Sequence, residues 1–230
     1  MEYLEFERIL STNRMQRYKD AANGDTRKAM ALYRYNLRLS QEMFTIVSCF
    51  EVALRNAIDS LLVPNLGDDW LKDSVQDNGI FSNGRMNETR KIIEKAYNRL
   101  NRQGIYSHSK LIAEMEFGVW KYMYSSLQYR ATGQCLLRAF PNKPRSSTAV
   151  QYNNTYIFNE LDKVNSLRNR IAHHEPICFR LHASEIDTSY IVNEYQKIQT
   201  LFSWMDIDSR SMLYGLDHIQ SICSKINTLK

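Results

Sequence analysis

A long helical pattern in the first third of the chain is the feature that most limits its fold. Apolar residues recur at helical spacing up to Val63, most densely in the second half of the segment. We expect the whole segment to begin at Asp25 as the N-cap, to break or bend near Ser40 and to stop at Pro64, and we expect its second half to be the central core helix. The apolar positions of this half are Phe44, Ile46, Val47, Phe50, Leu54, Ile58, Leu61 and Leu62.

The rest of the chain also has the pattern of helices. Its 8 glycines and 4 prolines lie between segments of helical periodicity and not in two-residue hairpin turns. We therefore predict an all-α fold, with Gly118 permitting close helix packing. A single helical domain is expected over residues 1–230, with a core at about 26–180 and a C-terminal helical cover at about 185–228. The further helices are expected at 3–22, 87–102, 109–126, from 153 or 154 to the motif described below, 187–204 and 208–226.

Charge and cysteine content narrow the functional class only broadly. The net charge of +5 is compatible with binding an anionic polymer but is weaker than in dedicated nucleic-acid-binding proteins. The four cysteines occur singly, which indicates reduced thiols and no zinc site. The amino terminus lacks the apolar core of a signal peptide, and no apolar run could span a bilayer. We expect a soluble, cytoplasmic protein.

The segment Leu167–Pro176 closes an amphipathic helix and carries an unusual charge. On a helical wheel the apolar stripe of this helix lies within about 80° of Ile157, and Arg168 falls inside it at about 20°. A guanidinium stays charged at any ordinary pH, so on a core-facing position it needs a carboxylate or an anionic ligand. The stripe comprises Ile157, Leu161, Val164, Leu167 and Ile171.

A second charge occupies an apolar stripe of the central helix. Glu51 lies about 40° from Val47 on the helical wheel, within the stripe. A lone buried carboxylate is costly, so a cationic partner is expected. Arg168 on a packed helix is one candidate, and Arg55, one turn further along, is the other. The sequence leaves both open.

Arginine, asparagine and histidine at one helix end suit a reaction on a phosphodiester. His173 can transfer a proton near neutral pH, and Arg168 can bind the non-bridging oxygens of the transition state. RNA supplies its own nucleophile, the 2′-hydroxyl, so neither a metal nor another cofactor is expected. Because Arg168 and His173 lie about 140° apart on a regular helix, a dimer or an unwound Ala172 is needed to bring two such groups together.

Two features also have structural interpretations. The His-His-Glu-Pro sequence could be a helix C-cap, and Arg168 with Glu51 could fix helix register only. The chain would then be a non-catalytic helical module that binds RNA or protein. The basic face of helix 87–102 could follow a phosphate backbone or be an ordinary solvated surface.

Four stretches in the same order resemble the Abi-like (abortive infection) branch of the HEPN superfamily. The Arg-Asn-x-x-x-His spacing of Arg168, Asn169 and His173 resembles the HEPN nuclease motif. The other three stretches are Ala31–Ser40, Phe50–Ile58 and Phe117–Trp120, so the resemblance spans about residues 30 to 180.

This resemblance implies a HEPN-like helical bundle, here with additional helices at both ends. It also implies a metal-independent endoribonuclease that leaves a 2′,3′-cyclic phosphate, acts as a toxin in phage defence, forms a homodimer and is restrained by an RNA or protein antitoxin. The resemblance makes Arg168 and His173 the catalytic pair, Asn169 a supporting residue and His174 the alternative base. Glu51, Arg55 and Asn56 match upstream polar positions of the family.

Overall fold

A computed structural model of the chain describes all 230 residues and is built from helices. It has no β-strand beyond one isolated bridge between Phe179 and Ile186, so the all-α prediction is confirmed. The α-helices are α1 (Tyr3–Leu10), α2 (Thr12–Ala21), α3 (Thr26–Leu66), α4 (Trp70–Asp73), α5 (Asn87–Arg102), α6 (His108–Glu114), α7 (Phe117–Tyr122), α8 (Ser126–Ala131), α9 (Asn154–Ala172), α10 (Ser189–Trp204), α11 (Ser209–Met212) and α12 (Ile219–Asn227). Short 3-10 helices lie at Gly84–Met86 and Leu136–Ala139.

The chain divides into two compact units, each with its own apolar core. The first comprises residues 1–48, 166–200 and 208–230, and the second comprises residues 49–165 and 201–207. That the whole chain forms one domain stays a prediction. The largest buried side chains of the first unit include Met15, Tyr18, Leu32 and Phe179, and those of the second include Phe50, Trp70, Phe81, Phe117, Trp120, Tyr124, Phe140 and Phe202.

Helix α3 is longer than predicted and is continuous from Thr26 to Leu66. It continues beyond Pro64 to Leu66, so the predicted stop at Pro64 was wrong, and it passes through Ser40 without a break; that it bends there stays a prediction. Its end is set by Gly67, whose φ of +91° is accessible to glycine and whose N–H donates to the Val63 carbonyl at 2.9 Å. The N-terminus is as predicted, because the Asp25 carboxylate accepts hydrogen bonds from the main-chain N–H of Arg27 and Lys28.

Three other predicted helices are each divided in the structure. The breaks lie at Ser11 within 3–22, at Met115 within 109–126 and at Gly215 within 208–226. Ser11 and Gly215 have positive φ, and Met115 is extended, so none of them can continue a helix. The helices predicted at 87–102, at the motif and at 187–204 are confirmed as α5, α9 and α10.

Two further observations concern the packing around Gly118 in α7 and the apolar character of the helices. A Cβ atom placed on Gly118 would meet nothing within 4 Å, so the predicted close packing at this glycine was wrong. No helix combines the length and apolar character that crossing a bilayer requires.

Candidate functional site

The site is built on the C-terminal end of α9. All five residues of the predicted apolar stripe, from Ile157 to Ile171, are buried, which explains why this segment folds as an amphipathic helix. Arg168 is half-buried, and its Nη1 donates to Asn169 Oδ1 at 3.4 Å. Asn169 is exposed, and its carbonyl accepts the main-chain N–H of His173 at 2.9 Å.

A tight turn ends α9 and presents two histidines to solvent. The Glu175 N–H donates to the Arg170 carbonyl and the His174 N–H to the Ile171 carbonyl, both at 2.9 Å, which is the Schellman pattern of helix termination. His174 occupies the position in this motif that usually holds glycine, and its φ is +56°. Both His173 and His174 are exposed. The sequence therefore places a strained histidine where a glycine would fit without strain.

Arg170 stabilises this turn through contacts with the residues that follow it. Its Nε lies 3.2 Å from Glu175 Oε2, its Nη2 donates to the Pro176 carbonyl at 3.1 Å, and its guanidinium lies 5.0 Å from the centre of the Tyr190 ring. Its Nη1 is buried without a hydrogen-bond partner. These contacts tie the segment after the turn to the last turn of α9 and to the start of α10.

Asn36 fixes the chain just beyond the turn. Its side chain is buried on α3, and Oδ1 accepts the main-chain N–H of Ile177 at 2.9 Å and of Cys178 at 3.2 Å. Asn36 was not identified individually from the sequence. A signal was present, because Asn36 lies one turn from the apolar residues Leu32 and Leu39 and so falls on the buried face of α3.

The histidine turn forms one wall of an open cleft of about 400 Å³. The other wall is α2 and the residues that begin it. Arg14 Nη1 donates to the His174 carbonyl at 2.8 Å, which links α2 directly to the turn. The cleft is lined by Ser11, Asn13, Arg14, Arg17, Tyr18, His173, His174, Glu175 and Pro176. Neither Arg14 nor Arg17 was identified from the sequence, since 160 positions separate Arg14 from His174.

Burial determines the protonation state of two groups near this cleft. It raises the pKa of the Tyr18 phenol well above its ordinary value, so Tyr18 stays neutral. It also raises the pKa of the Cys178 thiol to about 12. Neither group is therefore suited to act as a base or a nucleophile near neutral pH. No three His, Cys, Asp or Glu side chains are grouped so that they could hold a metal ion.

The remaining predicted site residues do not line the cleft. Arg168 and Asn169 lie on the preceding helical turn, outside the cleft lining. Glu51 and Arg55 are half-buried and Asn56 is exposed, all on α3. Arg55 Nε is buried without a hydrogen-bond partner. The pairing of Glu51 with Arg168 or with Arg55 stays a prediction.

Comparison with known proteins gives one match. No curated protein and no solved structure matches the chain. The model of a family described as Abi-like protein matches residues 2–178, which include α1 and α2 as well as the stretches in which the resemblance was seen. The match ends just after the histidine turn. The chain therefore belongs to the Abi-like family, and this membership implies a role in abortive infection, a form of phage defence.

Proposed function

We propose that this protein is a metal-independent endoribonuclease of the HEPN type that acts as a toxin in abortive infection. The observation that carries the proposal is the position of His173 and His174. They are exposed on the turn that ends α9, they face a cleft with two arginines, and they follow Arg168 at the spacing of the nuclease motif. Membership of the Abi-like family supports the defence role.

The proposed reaction is transesterification within the RNA strand. An imidazole of the turn, that of His173 or of His174, accepts the proton of the 2′-hydroxyl as its oxygen forms a bond to phosphorus. The bond between phosphorus and the 5′-oxygen breaks, and this oxygen takes up a proton from the protonated imidazole or from water. The products are a 2′,3′-cyclic phosphate and a free 5′-hydroxyl. Arg168 stabilises the negative charge that develops on the non-bridging oxygens in the transition state.

A homodimer is part of the proposal because of where Arg168 lies. Arg168 is outside the cleft that the histidines line in their own chain. Two copies facing each other across a twofold axis would supply each histidine with an arginine from the partner. A partner that restrains the toxin, an RNA or a protein antitoxin, belongs to the same proposal.

A non-catalytic module that binds RNA or protein is the second candidate. Two observations favour it: the regular Schellman turn and the Arg170 contacts account for the shape of the helix end without any catalytic role. The two candidates differ in what the histidine side chains must do.

The deciding experiment is cleavage of RNA by single histidine variants. We expect His173→Ala or His174→Ala to slow cleavage about 100-fold or more, because a general base contributes at least that factor. His182→Ala is the matched control, since His182 is exposed and, like His174, has positive φ, but it lies outside the cleft. Activity should survive EDTA, and light scattering should show a dimer. Wild-type rates of cleavage in both His173→Ala and His174→Ala would exclude the histidine mechanism, and failure of the wild-type protein to cleave RNA would exclude the nuclease proposal.

A further inference from the structure

The cleft beside the histidine turn carries uncompensated positive charge. Its lining contains two permanent cations, Arg14 and Arg17, and one carboxylate, that of Glu175. Glu175 is already paired, because its Oε2 lies 3.2 Å from Arg170 Nε. No other acidic side chain lines the cleft. An anion entering it would therefore meet a net attraction.

The two arginines have different tasks. The Arg17 guanidinium donates to the main-chain carbonyls of Arg180 and Ala183 and lies 4.7 Å from the centre of the Phe179 ring. These contacts hold it against the segment that follows the motif. Arg17 is thus occupied in fastening α2 to that segment.

Arg14 is exposed, and its one bond across the cleft orients it. A guanidinium has five N–H donors in a planar fork, and the bond to the His174 carbonyl uses one of them. That bond holds the fork at the turn that carries the histidines. The geometry of a fork matches two oxygens of a phosphate, which is why arginine is favoured for such ligands.

We propose that Arg14 binds a backbone phosphate of single-stranded RNA, so that the cleft between α2 and the histidine turn is a phosphate-binding subsite. This inference rests on the proposed function for the identity of the anion. The hydrogen bond between Arg14 and the His174 carbonyl would place the bound phosphate next to both imidazoles. Arg14 lies in the N-terminal helices, outside the stretches that carry the nuclease motif.

The test measures binding separately from turnover. The ligand is a fluorescent oligoribonucleotide with 2′-O-methyl groups throughout, which cannot be cleaved by 2′-hydroxyl attack. Binding is followed by anisotropy at several salt concentrations. Arg14→Gln retains an N–H donor for the His174 carbonyl but loses the charge and the fork. Arg14→Lys retains the charge alone. Arg27→Gln is the control, because Arg27 is also exposed, lies at the start of α3 and does not line the cleft.

We expect Arg14→Gln to weaken binding about tenfold and Arg14→Lys to have an intermediate effect. The slope of log Kd against log salt should fall by about 0.7 in Arg14→Gln, as for the loss of one phosphate contact on a single strand. A residue that only braces the turn would leave this slope unchanged. Arg27→Gln should bind as the wild type does.

The outcomes separate this inference from the nuclease proposal. Wild-type affinity and salt slope in Arg14→Gln would overturn the subsite, as would failure of the wild-type protein to bind the oligonucleotide. If Arg14→Gln binds weakly while His173→Ala and His174→Ala cleave RNA like the wild type, the subsite stands and the nuclease mechanism fails. If Arg14→Gln binds normally while the histidine variants lose cleavage, the nuclease mechanism stands and the subsite fails.

Discussion

Asn36 on α3 holds Ile177, the first buried residue after the histidine turn, through a side-chain to main-chain hydrogen bond of 2.9 Å. The same Oδ1 atom accepts the N–H of Cys178 at 3.2 Å. One amide oxygen therefore satisfies two consecutive buried main-chain donors. The path of the chain beyond the turn depends on it, because buried N–H groups that lose their acceptor are costly.

Replacing Asn36 should destabilise the protein markedly. Asn36→Ala leaves two buried N–H groups without an acceptor, and we expect the free energy of unfolding to fall by about 2–4 kcal/mol. Urea denaturation measures it. Asn56→Ala on the same helix is the control, since Asn56 is exposed, and it should change stability by less than about 0.5 kcal/mol. Equal small losses in the two variants would show that the Asn36 bonds contribute little.

Replacing His174 by glycine should raise the stability of the protein and lower its activity. Glycine adopts a positive φ without strain, so His174→Gly should raise the free energy of unfolding by about 1 kcal/mol. If the imidazole takes part in cleavage, the same variant should lose activity while it melts at a higher temperature. Ala172→Gly is the matched control: Ala172 is the last helical residue of α9, and glycine there should lower stability slightly. A His174→Gly protein that is less stable than the wild type would contradict the strain argument.

Two glycines should respond in opposite ways to alanine. Gly118 lies in α7 with open space around its Cβ position, so Gly118→Ala should raise the free energy of unfolding by about 0.5–1 kcal/mol. At Gly79 a Cβ would clash with the Ser74 carbonyl oxygen, and main-chain atoms cannot move aside easily. Gly79→Ala should therefore cost about 1–3 kcal/mol. Thermal melts of the two variants test both signs, and a destabilised Gly118→Ala would restore the close-packing interpretation.

The buried thiol of Cys178 should make the protein less stable at alkaline pH. Burial raises its pKa to about 12, whereas an unfolded thiol ionises near its ordinary value of about 8.5. When the pKa of a group is higher in the folded state, its contribution to stability is fully present below the unfolded-state pKa. This contribution is lost as pH rises towards the folded-state pKa, because only the unfolded state ionises in that range. Between about pH 9 and 12, Cys178 should contribute a fall of about 1.4 kcal/mol per pH unit. Stability measured against pH should fall less steeply in Cys178→Ala, and parallel curves would contradict the assignment.

Features that depend on neighbouring residues could be predicted from the sequence, whereas contacts between distant segments could not. Helices α5 and α9 were placed correctly because an amphipathic repeat is read from neighbouring residues. The break at Ser11 was missed because a serine with positive φ has no compositional signal. The same holds for His174, which takes a position that is typical of glycine.

The cleft could not be predicted for a different reason. Its walls come from α2 and from the turn after α9, which are far apart in sequence, and the bond from Arg14 to His174 ends on a main-chain oxygen. A main-chain acceptor is present at every residue, so no residue type marks it. The motif residues themselves were identifiable because their types and spacing resemble a known family.

The contacts of Arg170 and Arg17 carry a consequence for the C-terminal segment. The family match stops at Cys178, yet Tyr190 lies against Arg170, and the carbonyls of Arg180 and Ala183 hold Arg17. A protein truncated at Cys178 would lack the Tyr190 ring beside Arg170 and the two carbonyls that bind Arg17. The turn that carries His173 and His174 would then lose the contacts that support it.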